Sequence, residues 1–145
     1  MSVHPSVPGA RRWWQRLFPS GDERPHGLSE AWIVLDGPQP RTEVAVGPGG
    51  VFLLDFRRSR PRDVARRAGD LSGRLTTALG HCVTVHGVVV EEVERTLRAD
   101  QPHGVTIVTE VVLGPWLESH PRAYDARDVR TLARAAGATG SPLTD

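Results

Sequence analysis

The chain of 145 residues has no lysine, no asparagine and a single cysteine, Cys82. One cysteine cannot form a disulfide within the chain, so the fold rests on an apolar core. At this length a single domain supplies such a core without covalent staples. Without lysine there is neither a Schiff-base nucleophile nor an amine base, and all eighteen basic residues are arginine. A GC-rich genome accounts for that bias without invoking function. Seventeen acidic residues oppose the arginines and leave a formal charge of +1. That balance excludes both a strongly basic nucleic-acid coat protein and an acidic disordered tail. No apolar run approaches the roughly 20 residues that span a bilayer. The N-terminus has no apolar signal-peptide core, because Arg and Gln break its one apolar cluster. The expectation is a soluble, cytoplasmic domain.

What is present divides into three parts. Residues 1–27 read as a flexible leader, within which 10–18 form a short amphipathic helix. Trp13, Trp14, Leu17 and Phe18 share one helical face there, with Arg12, Gln15 and Arg16 opposite. Residues 28–137 form the domain and 138–145 a loose tail. In the domain, 31–36 and 41–46 read as strands around the turn Gly37-Pro38-Gln39-Pro40. After Gly47-Pro48-Gly49-Gly50, the apolar run 51–56 suits a central strand covered on both faces. The period then changes. Val64, Ala68, Leu71, Leu75 and Leu79 lie at helical spacing, with Gly80 as a stop and Asp63–Arg67 and Asp70–Arg74 as i,i+4 pairs. Residues 82–90 and 104–109 are β-branched strands, 91–98 a short helix and 113–118 one or two helical turns. A last helix opens at Asp125, carries Val129, Leu132, Ala133 and Ala136, and stops at Gly137. The order implies an α/β fold of the α+β kind, with a mixed sheet and helices on both faces.

The stretch 41–57, RTEVAVGPGGVFLLDFR, carries a resemblance. Gly47, Pro48, Gly49, Gly50, Val51 and Phe52 resemble the core of the NERD (nuclease-related) domain, a branch of the PD-(D/E)xK restriction-endonuclease-like superfamily. By order of elements the resemblance extends over about 32–136. It implies a restriction-endonuclease-like core, an antiparallel three-strand meander followed by helix-strand-helix-strand-helix. It also implies a site in which a strand-two Asp and a strand-three acid hold a divalent cation, while a Lys positions or deprotonates the attacking water. Mapped residue by residue, those positions are Thr42, Asp55 and Arg57.

Two of the three depart from the pattern. Thr42 is a neutral hydroxyl and a poor metal ligand, and Glu43 beside it turns to the opposite strand face. Arg57 stays protonated and cannot act as a base. No upstream Gly-Glu helix is evident. Asp55 alone survives, as the metal ligand if any activity is kept. No cofactor is expected, apart from Mg²⁺ in that case. Strand alternation places Asp55 and Arg57 on one face, which suggests an internal ion pair in place of the metal.

Three readings follow. In the first, the chain is a catalytically degenerate nuclease-related domain that binds nucleic acid or a partner protein. Arg57, Arg58, Arg60, Arg62, Arg66 and Arg67 fall within eleven residues and form a DNA- or RNA-phosphate patch, unless they are simply a solvated helix face. In the second, Asp55 works with Glu30 or Asp36 around Mg²⁺ in a variant nuclease. In the third, the aromatic segment at Trp13, Trp14, Leu17 and Phe18 packs against the domain, mediates self-association or contacts a membrane surface. His81, Cys82 and His86 lack the four-ligand spacing of a zinc site, and the bland reading is a buried free cysteine beside a strand histidine. Asp125 and Asp128 are explained by helix capping.

Overall fold

A computed structural model describes residues 25–57, 59–91 and 102–139. Five strands form one sheet in chain order: β1 (Ile33–Asp36), β2 (Thr42–Gly47), β3 (Gly50–Asp55), β4 (Val85–Glu91) and β5 (Thr106–Thr109). β1, β2 and β3 pair antiparallel, whereas β4 joins β3 in parallel and β5 joins β4 in parallel. The helices are α1 (Pro61–Leu79), α2 (Glu110–Glu118) and α3 (Ala126–Thr139). The class is therefore α/β with a mixed sheet, as the order of patterns implies.

The tight turns make the meander. The Gly37 N–H donates to the Thr42 carbonyl at 2.8 Å, closing the first hairpin, and Gly47 pairs with Gly50 across the second. All six residues of β3 are buried, which is the signature of a strand covered on both sides. Val51 and Leu53 meet Ile33, Leu35, Val44, Val46 and the apolar stripes of α1 and α3. Phe52 and Leu54 face the other way, toward Trp32, Val34, Ala45, Val88, Val108 and Leu113 and Leu117 of α2.

The helices follow local rules at their ends. α1 buries Val64, Ala68, Leu71 and Leu75, as their spacing requires, and its C-cap Gly80 adopts φ 79°, the left-handed conformation glycine tolerates. The Asp128 N–H donates to Asp125 Oδ1 at 2.8 Å, and the Asp125 N–H to Asp128 Oδ2 at 3.3 Å. This reciprocal capping holds the Asp125 carboxyl below its ordinary pKa, chiefly through the Asp128 N–H.

Several boundaries differ from the sequence reading. Cys82 is exposed and lies before β4 rather than in it. Thr76 Oγ1 accepts from the Val83 N–H at 3.0 Å, and the Ser72 hydroxyl donates to the Val83 carbonyl. Those helix side chains satisfy Val83 in place of a neighbouring strand. Val83 is buried and Cys82 turns outward. α3 runs through Gly137, which is itself buried, so the small residue sits in the packed interior and does not end the helix. α2 begins at Glu110, three residues before Leu113, although Pro115 lies inside it. Glu91 closes β4 and does not open a helix. The aromatic segment 10–18, the expected helix residues 92–98, Arg58 and the tail 140–145 lie outside the described residues.

Candidate functional site

Among the described residues, the buried polar or charged side chains are Thr42 and Asp55. They are also the two strand positions that the resemblance marks, and they face each other directly across β2 and β3. Side chains so paired have Cβ atoms roughly 5 Å apart. A buried carboxylate in an aliphatic core needs partners, because its isolated burial costs several kcal/mol or more.

Asp55 finds those partners locally. Its Oδ1 accepts from the Arg57 N–H at 2.8 Å and, more weakly, from the Ser59 N–H at 3.5 Å. The first contact is an Asx-turn that folds the chain from β3 toward α1. Oδ2 faces Arg67 Nη1 at 3.7 Å, and the same nitrogen donates to Ser59 Oγ at 3.4 Å. Arg67, in the second turn of α1, is thus the cation at Asp55. Arg57 meets the carboxylate through its backbone, and its side chain is exposed. The expected Asp55–Arg57 ion pair is corrected accordingly. β3 ends at Asp55, so strand alternation does not carry to residue 57. The expected Asp63–Arg67 pair also gives way: Asp63 lies 3.7 Å from Arg66 instead.

Thr42 turns to the opposite side of the problem. Its hydroxyl donates to the Gln39 carbonyl at 2.6 Å and accepts from the Gln39 N–H at 3.3 Å. A Cβ on Gly37 would lie 2.1 Å from that hydroxyl oxygen, so only glycine fits beside it. Thr42 fastens the first hairpin.

The donor set does not suit Mg²⁺. Such an ion is bound through one or two carboxylates with water and substrate oxygens. Here one carboxylate is held by amides and a guanidinium, and its cross-strand neighbour is a hydroxyl engaged elsewhere. Asp36 pairs across the strands with Glu43, and therefore shares that residue's face of the sheet, opposite to Asp55. Glu30 precedes β1 at the far end from Asp55. Gln39 Oε1 is buried without a hydrogen-bond partner, yet it is a neutral oxygen and adds no second carboxylate. Among the described residues no three of His, Cys, Asp and Glu gather in a group that could hold a metal ion.

Around the closed carboxylate the surface is basic. Arg57, Arg60, Arg62 and Arg66 are exposed on the loop and first turns of α1. Arg60 is the N-cap residue and makes no side-chain cap, Pro61 follows it, and Asp63 is the acid of the first turn.

Two further clusters occupy the α2 face, and sequence reasoning missed both. His26 Nε2 and Glu43 Oε1 lie 2.9 Å apart, and His26 stacks on Phe56 with ring centroids 5.6 Å apart. At the other end of the sheet, Phe52 contacts His86, His120 and Trp116 with centroids 5.1, 4.9 and 5.7 Å away. His120 Nδ1 donates to the carbonyls of Trp116 and Leu117 at the end of α2. Burial, and secondarily the charge of His120, push the His86 pKa down. Alternation had signalled only that Glu43 would leave the Thr42 face.

Compared with known protein families, with curated proteins and with solved structures, the chain matches none. Among the described residues no helix is long and apolar enough to cross a membrane.

Proposed function

We propose that the chain is a nuclease-related domain with a restriction-endonuclease-like core that has exchanged cleavage for binding. It grips the phosphate backbone of DNA or RNA through Arg57, Arg60, Arg62 and Arg66. The observation that carries this reading is the engagement of Asp55. Its oxygens hold the Arg57 and Ser59 amides and face Arg67, while four other arginines stay exposed around the start of α1. Cations at a helix N-terminus oppose the macrodipole, at about 0.3–1 kcal/mol each in exposed positions. A bound phosphate relieves that repulsion and accepts from the guanidinium groups. With a net charge of only +1, binding is local, weak and indifferent to sequence.

The test is fluorescence anisotropy of labelled duplex and single-stranded oligonucleotides with the full chain, over a salt series. Replacing Arg57, Arg60, Arg62 and Arg66 by Gln weakens binding. It also flattens the slope of log affinity against log salt by about 0.9 for each duplex phosphate contact removed. Unchanged affinity in that variant eliminates the patch. Nicking of a plasmid in Mg²⁺ or Mn²⁺ that disappears in Asp55→Asn replaces this reading with the variant nuclease.

A further inference from the structure

The described surface has one apolar blemish. Val111 and Val112 are 81% and 45% exposed, and they are the exposed large hydrophobic residues among those described. Both lie on α2, where Pro115 is exposed one turn after Val111 and Trp116 is half-buried one turn after Val112. At 100° per residue, the three exposed residues make a continuous apolar strip along the outer side of α2. β-Branched residues and a proline are poor choices for a solvated helix face, so a covering is called for.

The chain itself points to the covering. The turn 25–27 packs against α2 so closely that a Cβ on Gly114 would lie 1.8 Å from the His26 carbonyl oxygen. Val111 and Pro115 flank Gly114 on the helix, so the chain preceding Pro25 starts beside the strip. Six residues, 19–24, separate that point from Phe18, and fully extended they reach about 20 Å. α2, with nine residues, is about 13 Å long. Trp13, Trp14, Leu17 and Phe18 form the one strongly apolar cluster outside the described residues, and Arg11, Arg12 and Arg16 accompany them. α2 carries acids at both ends, Glu110 and Glu118, and no basic residue. Size argues for the same occupant. Two valines and a proline fall far short of the roughly 800 Å² per partner that a stable association of separate chains buries. A tethered segment needs far less, since a short linker holds it at millimolar effective concentration.

We propose that segment 10–18 folds back on its own domain and lays Trp13, Trp14, Leu17 and Phe18 on the Val111–Val112–Pro115 strip of α2. The segment is then an integral strap over the α2 face, not an anchor for a membrane or a second copy.

Cysteine cross-linking in the full chain tests this. In a Cys82→Ser background, Val112→Cys is combined in turn with Leu17→Cys and with Phe18→Cys, which keeps both tryptophans. The exposed Asp70→Cys on α1 serves as the control partner. Mild oxidation is expected to give an intrachain disulfide with Val112→Cys and none with Asp70→Cys. Failure to link, equal linking to both sites, or linking only into dimers overturns the strap. Independently, trypsin cleavage after Arg11, Arg12 and Arg16 is expected to accelerate about tenfold in Val111→Asp/Val112→Asp. That factor corresponds to about 1.4 kcal/mol of docking energy. Both positions are exposed, so the domain tolerates the change, and an unaltered cleavage rate in this variant also overturns the proposal.

Discussion

On one side of the sheet, two long helices cover β1 to β4 with small and medium aliphatic side chains, and the one carboxylate there is enclosed by its own loop. On the other side, one nine-residue helix must do the covering, and Trp32, Phe52 and Trp116 fill the space. The contrast comes from connectivity. The crossover between parallel β3 and β4 commits α1 to one face, and α3 returns beside it. Among the described residues, nothing of that length lands on the second face. It is completed by large rings, by imidazoles, and by residues recruited from before β1. The first face teaches that a buried carboxylate held by its own loop can serve as an element of the fold. The second shows where a covering from outside the sheet is still needed.

The largest expected effect concerns the enclosed carboxylate. Arg67→Met removes the cation facing Asp55 and lowers stability by about 3 kcal/mol, the low end for a broken buried pair, because two amides still hold the carboxylate. Asp55→Asn keeps the Asx-turn acceptor and costs less. Urea denaturation of both single variants and the double variant is expected to show a coupling above about 0.5 kcal/mol. Additive effects would mean that Arg67 does not interact with Asp55.

On the opposite face the sharpest packing test is Gly114→Ala. The added methyl collides with the His26 carbonyl, and overpacking of this kind costs about 1–3 kcal/mol. Wild-type stability in this variant would show that the turn 25–27 does not bear on α2.

A smaller effect of opposite sign is expected at Gly69 and Gly73. Both are exposed in α1, and a Cβ on either meets nothing within 4 Å. Each Gly→Ala change therefore stabilises the fold by about 0.5–1 kcal/mol, seen as a higher denaturation midpoint.

The smallest expected effect is that of pH on the aromatic end. The native state holds His86 below its ordinary pKa of 6.5 through burial and through His120. Below that value the unfolded chain binds more protons than the native one, so this contribution to stability is full above it and is lost as pH falls. His86→Leu should flatten the decline of melting temperature between about pH 6.5 and 5. An unchanged pH profile would detach His86 from acid sensitivity.

Much of the frame was legible because it is local. The turn residues 37–40 and 47–50, the doubly buried run of β3 and the i, i+3, i+4 stripe of α1 each declare themselves within a few residues. Asp125 was readable as a cap for the same reason. The site was only half legible. Register across the second hairpin follows from its turn, so Thr42 and Asp55 could be set opposite each other. The partner of Asp55 could not be foreseen, since Arg67 had an equally plausible mate in Asp63 at helical spacing. Cys82 misled because a β-branched run looks like strand, whatever hydroxyls a neighbouring helix brings to it.

What the sequence determined by itself is the order of the described strands and helices, the antiparallel meander and the chemical limits set by lacking lysine. Those depend on dihedral preferences and short-range periodicity, which each segment carries with it. What only the tertiary structure decided is which groups share an environment: Arg67 with Asp55, His26 with Glu43, His86 and His120 on Phe52, and the exposed valines of α2. These contacts join residues made neighbours by where a crossover lands and which face a helix covers. Hydrophobic burial sets that placement for the whole chain at once, and it is non-directional, so no local spacing records it.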